Sequence, residues 1–128
     1  MANRWFNQFG LALEKNCVNL FGRFTVGATG APTMDTSHSK GIASIVRNAV
    51  GKYTITLSDT YPYLFDFDWI SVFATPAAIN CFLISQSVST AGAPTLVIQF
   101  QSAAGTNVEL ANGEDIRFNI VLSNSSAF

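Results

Sequence analysis

Hydrophobic and polar positions alternate with a period of two along most of this chain. Val18, Leu20, Phe24 and Val26 fall on one side of an extended segment, and Asn19, Arg23 and Thr25 on the other. Lys52 to Ser58 alternates most cleanly: Tyr53, Ile55 and Leu57 point one way, Lys52, Thr54, Thr56 and Ser58 the other. Leu96, Ile98 and Phe100 alternate with Val97, Gln99 and Gln101. Near the end, Ile116, Phe118, Ile120 and Leu122 alternate with Asp115, Arg117 and Asn119. This pattern marks antiparallel strands with one face covered and one wet. A shorter strand is predicted over Ile42 to Arg47. Trp69 to Ala74 and Asn80 to Ser87 are more continuously apolar, Cys81-Phe82-Leu83-Ile84 above all. That predicts strands covered on both faces.

Turn chemistry separates these runs. Residues 27–40 read as a long loop rich in Gly, Thr and Ser. Asn48-Ala49-Val50-Gly51 reads as a hairpin connection with Gly51 at positive φ, and Asn112-Gly113 is a second tight-turn signal. Asp59, Pro62 and Asp66 mark a turn-rich segment, and Pro76 with Asn80 marks the loop before the next strand. Ala28-Thr29-Gly30-Ala31-Pro32-Thr33 is echoed by Thr90-Ala91-Gly92-Ala93-Pro94-Thr95, which reads as recurrent loop composition rather than duplication. The result is an all-β domain over residues 17–128, an antiparallel β-sandwich of about seven strands, Greek-key or jelly-roll-like. A small barrel is the alternative.

Residues 1–16 follow a different rule. Trp5, Phe9 and Leu13 recur at i, i+4 and i+8, with Phe6 beside them, the spacing of an apolar helical stripe. A helix this short is not stable alone in water. The segment is expected to be an N-terminal arm or short helix docked on its own domain or on a neighbouring subunit.

Composition adds one decisive fact. The 128 residues suit a single domain, yet only 12% are charged, against about 25% in typical soluble domains. Either uncharged polar residues keep the surface wet or partners cover it. The net charge of −1 and seven scattered basic residues argue against nucleic acid. No apolar run approaches the ~20 residues of a spanning helix, and Met1-Ala2-Asn3-Arg4 opens nothing that resembles a signal peptide. Cys17 and Cys81 read as buried free thiols, with a disulfide between them as the alternative. Two Cys and one His without ligand spacing predict no metal site.

Candidate chemistry is sparse. His38 lies in the loop among Asp35, Ser37 and Ser39, where a solvated histidine is the simpler reading than a general base. Asp66 and Asp68 share one side of an extended segment and read as turn carboxylates rather than an acid–base pair or calcium ligands. Glu114-Asp115 follows the Asn112-Gly113 turn as a solvated hairpin end. No catalytic residue and no cofactor is predicted. The aromatic run Tyr61-Pro62-Tyr63-Leu64-Phe65-Asp66-Phe67-Asp68-Trp69 is dense enough for an interface or a carbohydrate site. A loop folded over the end of the sandwich is the plainer alternative. The candidate interface residues are Trp5, Phe6, Phe9, Tyr61, Tyr63, Phe65 and Trp69.

The stretch from Leu13-Glu14-Lys15 through Val18, Leu20 and Arg23 into Gly27-Ala28-Thr29-Gly30-Ala31-Pro32-Thr33 resembles the opening of a family of small tailed-phage virion proteins. Ser39-Lys40-Gly41-Ile42-Ala43-Ser44-Ile45-Val46-Arg47-Asn48 followed by Gly51-Lys52-Tyr53-Thr54-Ile55-Thr56-Leu57 is similar to their next hairpin. Asn112-Gly113-Glu114 with Ile120 to Ser126 looks like their ending. The likeness covers about three-quarters of the chain and is weakest between residues 60 and 90. It implies a virion component without enzymatic activity, either a head decoration (cement) protein or a fibre-like appendage. The expectation is a decoration protein assembled onto the shell in the host cytoplasm, a homotrimer bound to the major capsid protein or other virion subunits. Its binding involves no nucleic acid and no membrane. A head-fibre, neck or tail component that binds host glycan is the alternative.

Overall fold

The computed structural model describes residues 17–72 and 78–123. It is a sandwich of two four-stranded antiparallel sheets. The strands are β1 (Cys17–Val26), β2 (Pro32–Met34), β3 (Ile42–Ala49), β4 (Lys52–Leu57), β5 (Tyr63–Val72), β6 (Ile79–Ser87), β7 (Thr95–Ser102) and β8 (Asp115–Ser123). One sheet has the order β2-β1-β8-β5, the other β3-β4-β7-β6. The central pairs, β1 with β8 and β4 with β7, join strands distant in sequence, as Greek-key connections require. No helix among the described residues is long and apolar enough to cross a membrane. The helical reading of residues 1–16 lies outside the described residues.

The period-two pattern decides which side chains enter the core. Burial alternates residue by residue along β4 and through most of β1 and β8, because successive side chains of a strand leave opposite faces. Aromatic rings join the two sheets. Phe24 lies 5.2 Å from Tyr53 and 6.5 Å from Phe118, and Phe100 receives Tyr53 at 5.9 Å and Trp69 edge-on at 5.4 Å. Ile55, Leu96, Ile98, Ile116 and Ile120 fill the space around them with no exposed surface. The buried Tyr53 hydroxyl donates to the Gly30 carbonyl at 2.7 Å, so its polar end is satisfied inside the core. Burial pushes its phenol up to about 12.

Two glycines are required by contact. A Cβ on Gly22 would lie 2.2 Å from the Phe118 ring, which packs directly over β1. Gly51, at φ 66, turns β3 into β4 as the sequence predicts, and a Cβ there would meet the Val108 carbonyl at 2.2 Å. Arg47 and Glu109 brace the same end. The Arg47 Nε donates to Glu109 Oε1 at 3.0 Å, its terminal nitrogen pairs with Oε2, and the Gly51 N–H also reaches Oε1.

Four sequence expectations change. Asp115, expected on a solvated hairpin end, is buried at the start of β8. The aromatic run from Tyr63 is strand β5 rather than a loop, and it continues to Val72. Pro32–Met34, expected within a loop, forms a short strand beside the end of β1. Cys17 is exposed at the start of β1 rather than buried, and both thiols are free. Cys81 is mostly covered, and burial raises its thiol to about 12.

Candidate functional site

Two surfaces stand out once the strands are placed: the outer face of the first sheet and the side of the sandwich bounded by β5 and β6.

On the outer face, Arg23 of β1 stands directly opposite Arg117 of β8. Asp115 reconciles them. It accepts from Arg23 Nε at 3.1 Å and from Arg117 at 3.1 Å, and is itself largely buried. Burial alone would raise the Asp115 carboxyl, but the hydrogen bonds from Arg23 and Arg117 outweigh it and hold it below the usual range. Arg23 also reaches Asp35 at 3.0 Å. That tethers the loop after β2 to the sheet. Asp35 accepts further bonds from His38 Nδ1 at 2.8 Å and from the Ser37 hydroxyl at 2.8 Å. Those bonds, His38 first, hold its carboxyl well below the ordinary value. His38 and Ser37 therefore both turn to Asp35 and not to each other.

A groove of about 460 Å³ runs beside this network, with Phe21 and Ile70 as apolar walls and Arg117, His38 and Asp68 as polar ones. Asn119 sits in register between Phe21 and Asp68, and its side-chain oxygen is buried without a hydrogen-bond partner. Asp66 and Asp68 project from β5 toward the same outer side. Hydrogen bonding with Asp66, then its charge, raises the Asp68 carboxyl. Among the described residues no cluster of three or more His, Cys, Asp or Glu side chains could hold a metal ion.

The second surface is an open edge. At one side of the sandwich β2 rests against β3, while β5 and β6 at the other side have no comparable contact. Inward-facing Phe67, Trp69, Ile79 and Cys81 are consequently only partly buried. Among the described residues, seven of the ten exposed large hydrophobic side chains lie on these two strands: Tyr63, Phe65, Ile70, Val72, Phe82, Leu83 and Ile84. Such a concentration at one side departs from the scattered apolar exposure of ordinary monomers.

The expected interface residues divide. Tyr61 is core, with its N–H bonded to Val88. Trp69 points inward onto Phe100. Tyr63 and Phe65 are exposed, their rings 5.4 Å apart. Trp5, Phe6 and Phe9 lie outside the described residues. Phe21, Ile70 and Val72 carry no expectation as interface residues, and the Phe82–Ile84 triplet is expected in a covered strand rather than on a surface. Continuing the alternation of Asp66 and Asp68 places Ile70 and Val72 on the same outer face, so half of that signal was in the sequence. No local signal showed that β6 would be an edge, and the expectation that both its faces are covered does not hold within this chain.

Comparison with family models, curated proteins and solved structures returns no match to this chain.

Proposed function

We propose that this protein is a structural subunit of a tailed-phage particle, a decoration protein that binds the assembled capsid and stabilises it by bridging neighbouring major capsid proteins. The observation that carries this reading is the concentration of exposed apolar side chains on β5 and β6, where Asp66 and Asp68 are the charged residues of the two strands, on a chain with only 12% charged residues. The resemblance of its N-terminal and hairpin segments to phage virion proteins supplies the setting. Burial of apolar surface is worth about 25 cal/mol per Å². A contact of roughly 1,600 Å² repeated over a shell would add materially to its stability. Tyr63, Phe65, Ile70 and Val72 are the proposed anchors on the domain, with Trp5, Phe6 and Phe9 on the arm.

The test is reconstitution of purified protein with shells that lack it. Binding should survive about 1 M salt, where the Debye length falls to about 3 Å, and should weaken on Ile70→Lys or Phe65→Ser. Release at moderate salt, or no binding to shells, overturns the reading.

A second reading rests on the groove beside Phe21. An exposed aromatic flanked by Asp68, Arg117 and Asn119, with an unsatisfied buried acceptor in its lining, suits a sugar ring. A fibre, neck or tail component that grips host glycan would use it. Many copies spread over the shell support decoration; a few copies confined to one vertex or appendage support the second reading.

A further inference from the structure

We propose that β6 is a self-pairing edge: two copies of this chain join antiparallel along Ile79–Ser87 across a two-fold axis.

Among the described residues the sandwich has four edge strands, and three of them are unsuited to pairing with themselves. β2 is three residues long and begins with Pro32, which lacks an N–H to donate. β3 carries Arg47 and is irregular near both ends. β5 carries Asp66 and Asp68, so an antiparallel copy would bring like carboxylates together, and these two already crowd each other enough to raise Asp68.

β6 differs in length and charge, although it too has one irregularity. Its nine residues, Ile-Asn-Cys-Phe-Leu-Ile-Ser-Gln-Ser, include no charge, no proline and no glycine. Natural edges are normally protected by such residues, by shortness or by a bulge. Here the bulge between Leu83 and Ser85 is the one protective device. Phe82, Leu83 and Ile84 are consecutive and 48%, 37% and 50% exposed, so the middle of the strand is apolar on both faces. One side of β6 is bonded to β7; no other described strand pairs with its second side.

An uncharged strand meets its own copy without electrostatic cost, which favours a second copy over a charged partner. A two-fold axis at Leu83, the middle residue, would set Phe82 against Ile84 of the second copy and Asn80 against its Gln86. Apolar would meet apolar and amide would meet amide. A contact confined to one strand edge is smaller than a standard interface, so association belongs in the micromolar range. This pairing is a property of the purified chain and does not depend on the virion reading, so either proposal can fail alone.

Sedimentation velocity on the purified full chain from about 1 to about 200 µM tests it. The expected result is a monomer–dimer equilibrium within that range. Ile84→Lys should weaken dimerisation at least about tenfold with an unchanged far-UV spectrum. Val46→Lys, on the exposed face of β3, should leave the dimer intact. Ser85→Lys, at an exposed polar position of β6, decides the matter should Ile84→Lys fail to fold. A chain that stays monomeric throughout, a three-fold assembly, or a dimer indifferent to the β6 substitutions overturns the proposal.

Discussion

Arg23 and Arg117 face each other across β1 and β8, a pairing that like charges disfavour, and Asp115 converts it into a stabilising bridge. Asp115→Ala leaves two guanidinium groups opposed and should cost about 2 kcal/mol in chemical denaturation. The pH dependence follows from the same contacts. Asp35 and Asp115 are both depressed in the folded protein. Their contribution is therefore present above the unfolded carboxylate value near ~3.9 and is lost as pH falls through the folded values. Glu114 has the opposite sign: burial raises it, so it favours the folded state more as it protonates. Stability measured from neutral to acid pH should fall below about pH 4, and Asp115→Asn should flatten that fall. A persistent steep fall in that variant would place the acid sensitivity elsewhere. Gly22→Ala drives a methyl into the Phe118 ring and should lower stability by about 2 kcal/mol. Tyr53→Phe, which loses only the bond to Gly30, should cost about 1 kcal/mol.

At the scale of elements, β6 and β7 make the instructive comparison. Each carries a phenylalanine within an apolar run. Phe100 of β7 has no exposed surface and meets both Tyr53 and Trp69; Phe82 of β6 is half exposed. Phe100→Ala should cost about 4 kcal/mol, whereas Phe82→Ala should cost the isolated monomer less than about 1 kcal/mol. Thermal melts at low concentration, where self-association is absent, measure both. Equal losses would mean that β6 is covered within the single chain. β4, β7 and β8 were legible as strands with their inward faces because their alternation is strict. In sequence β5 resembles loop in part because Asp66, Asp68 and Pro62 have turn chemistry. In the structure the two carboxylates point outward from a strand that begins just after Pro62.

For the whole molecule, low charge and an open side belong together. β6 carries no ionised side chain and β5 carries only Asp66 and Asp68, while six of the charged residues are spent on internal bridges: Arg23, Arg117, Asp35 and Asp115 on one face, Arg47 and Glu109 at one end. Shell binding that resists salt, and self-association weakened by one lysine on β6, are the two outcomes expected at this scale. Of the expected interface, Tyr63 and Phe65 are exposed, while Tyr61 and Trp69 serve the core. An aromatic residue reads the same in sequence whether its ring fills the sandwich or faces outward.

The alternation of side chains by itself determined that this chain is all-β, where most strands begin and end, and which residues of β4, β7 and β8 face inward. It could do so because a strand's two faces are a local, period-two property. Tertiary structure alone decided the order of strands within each sheet, and so which strands are interior and which are edges. That order comes from pairing between segments far apart in the chain, such as β1 with β8. Only there does an apolar run like Cys81 to Ile84 become an exposed edge instead of a buried strand.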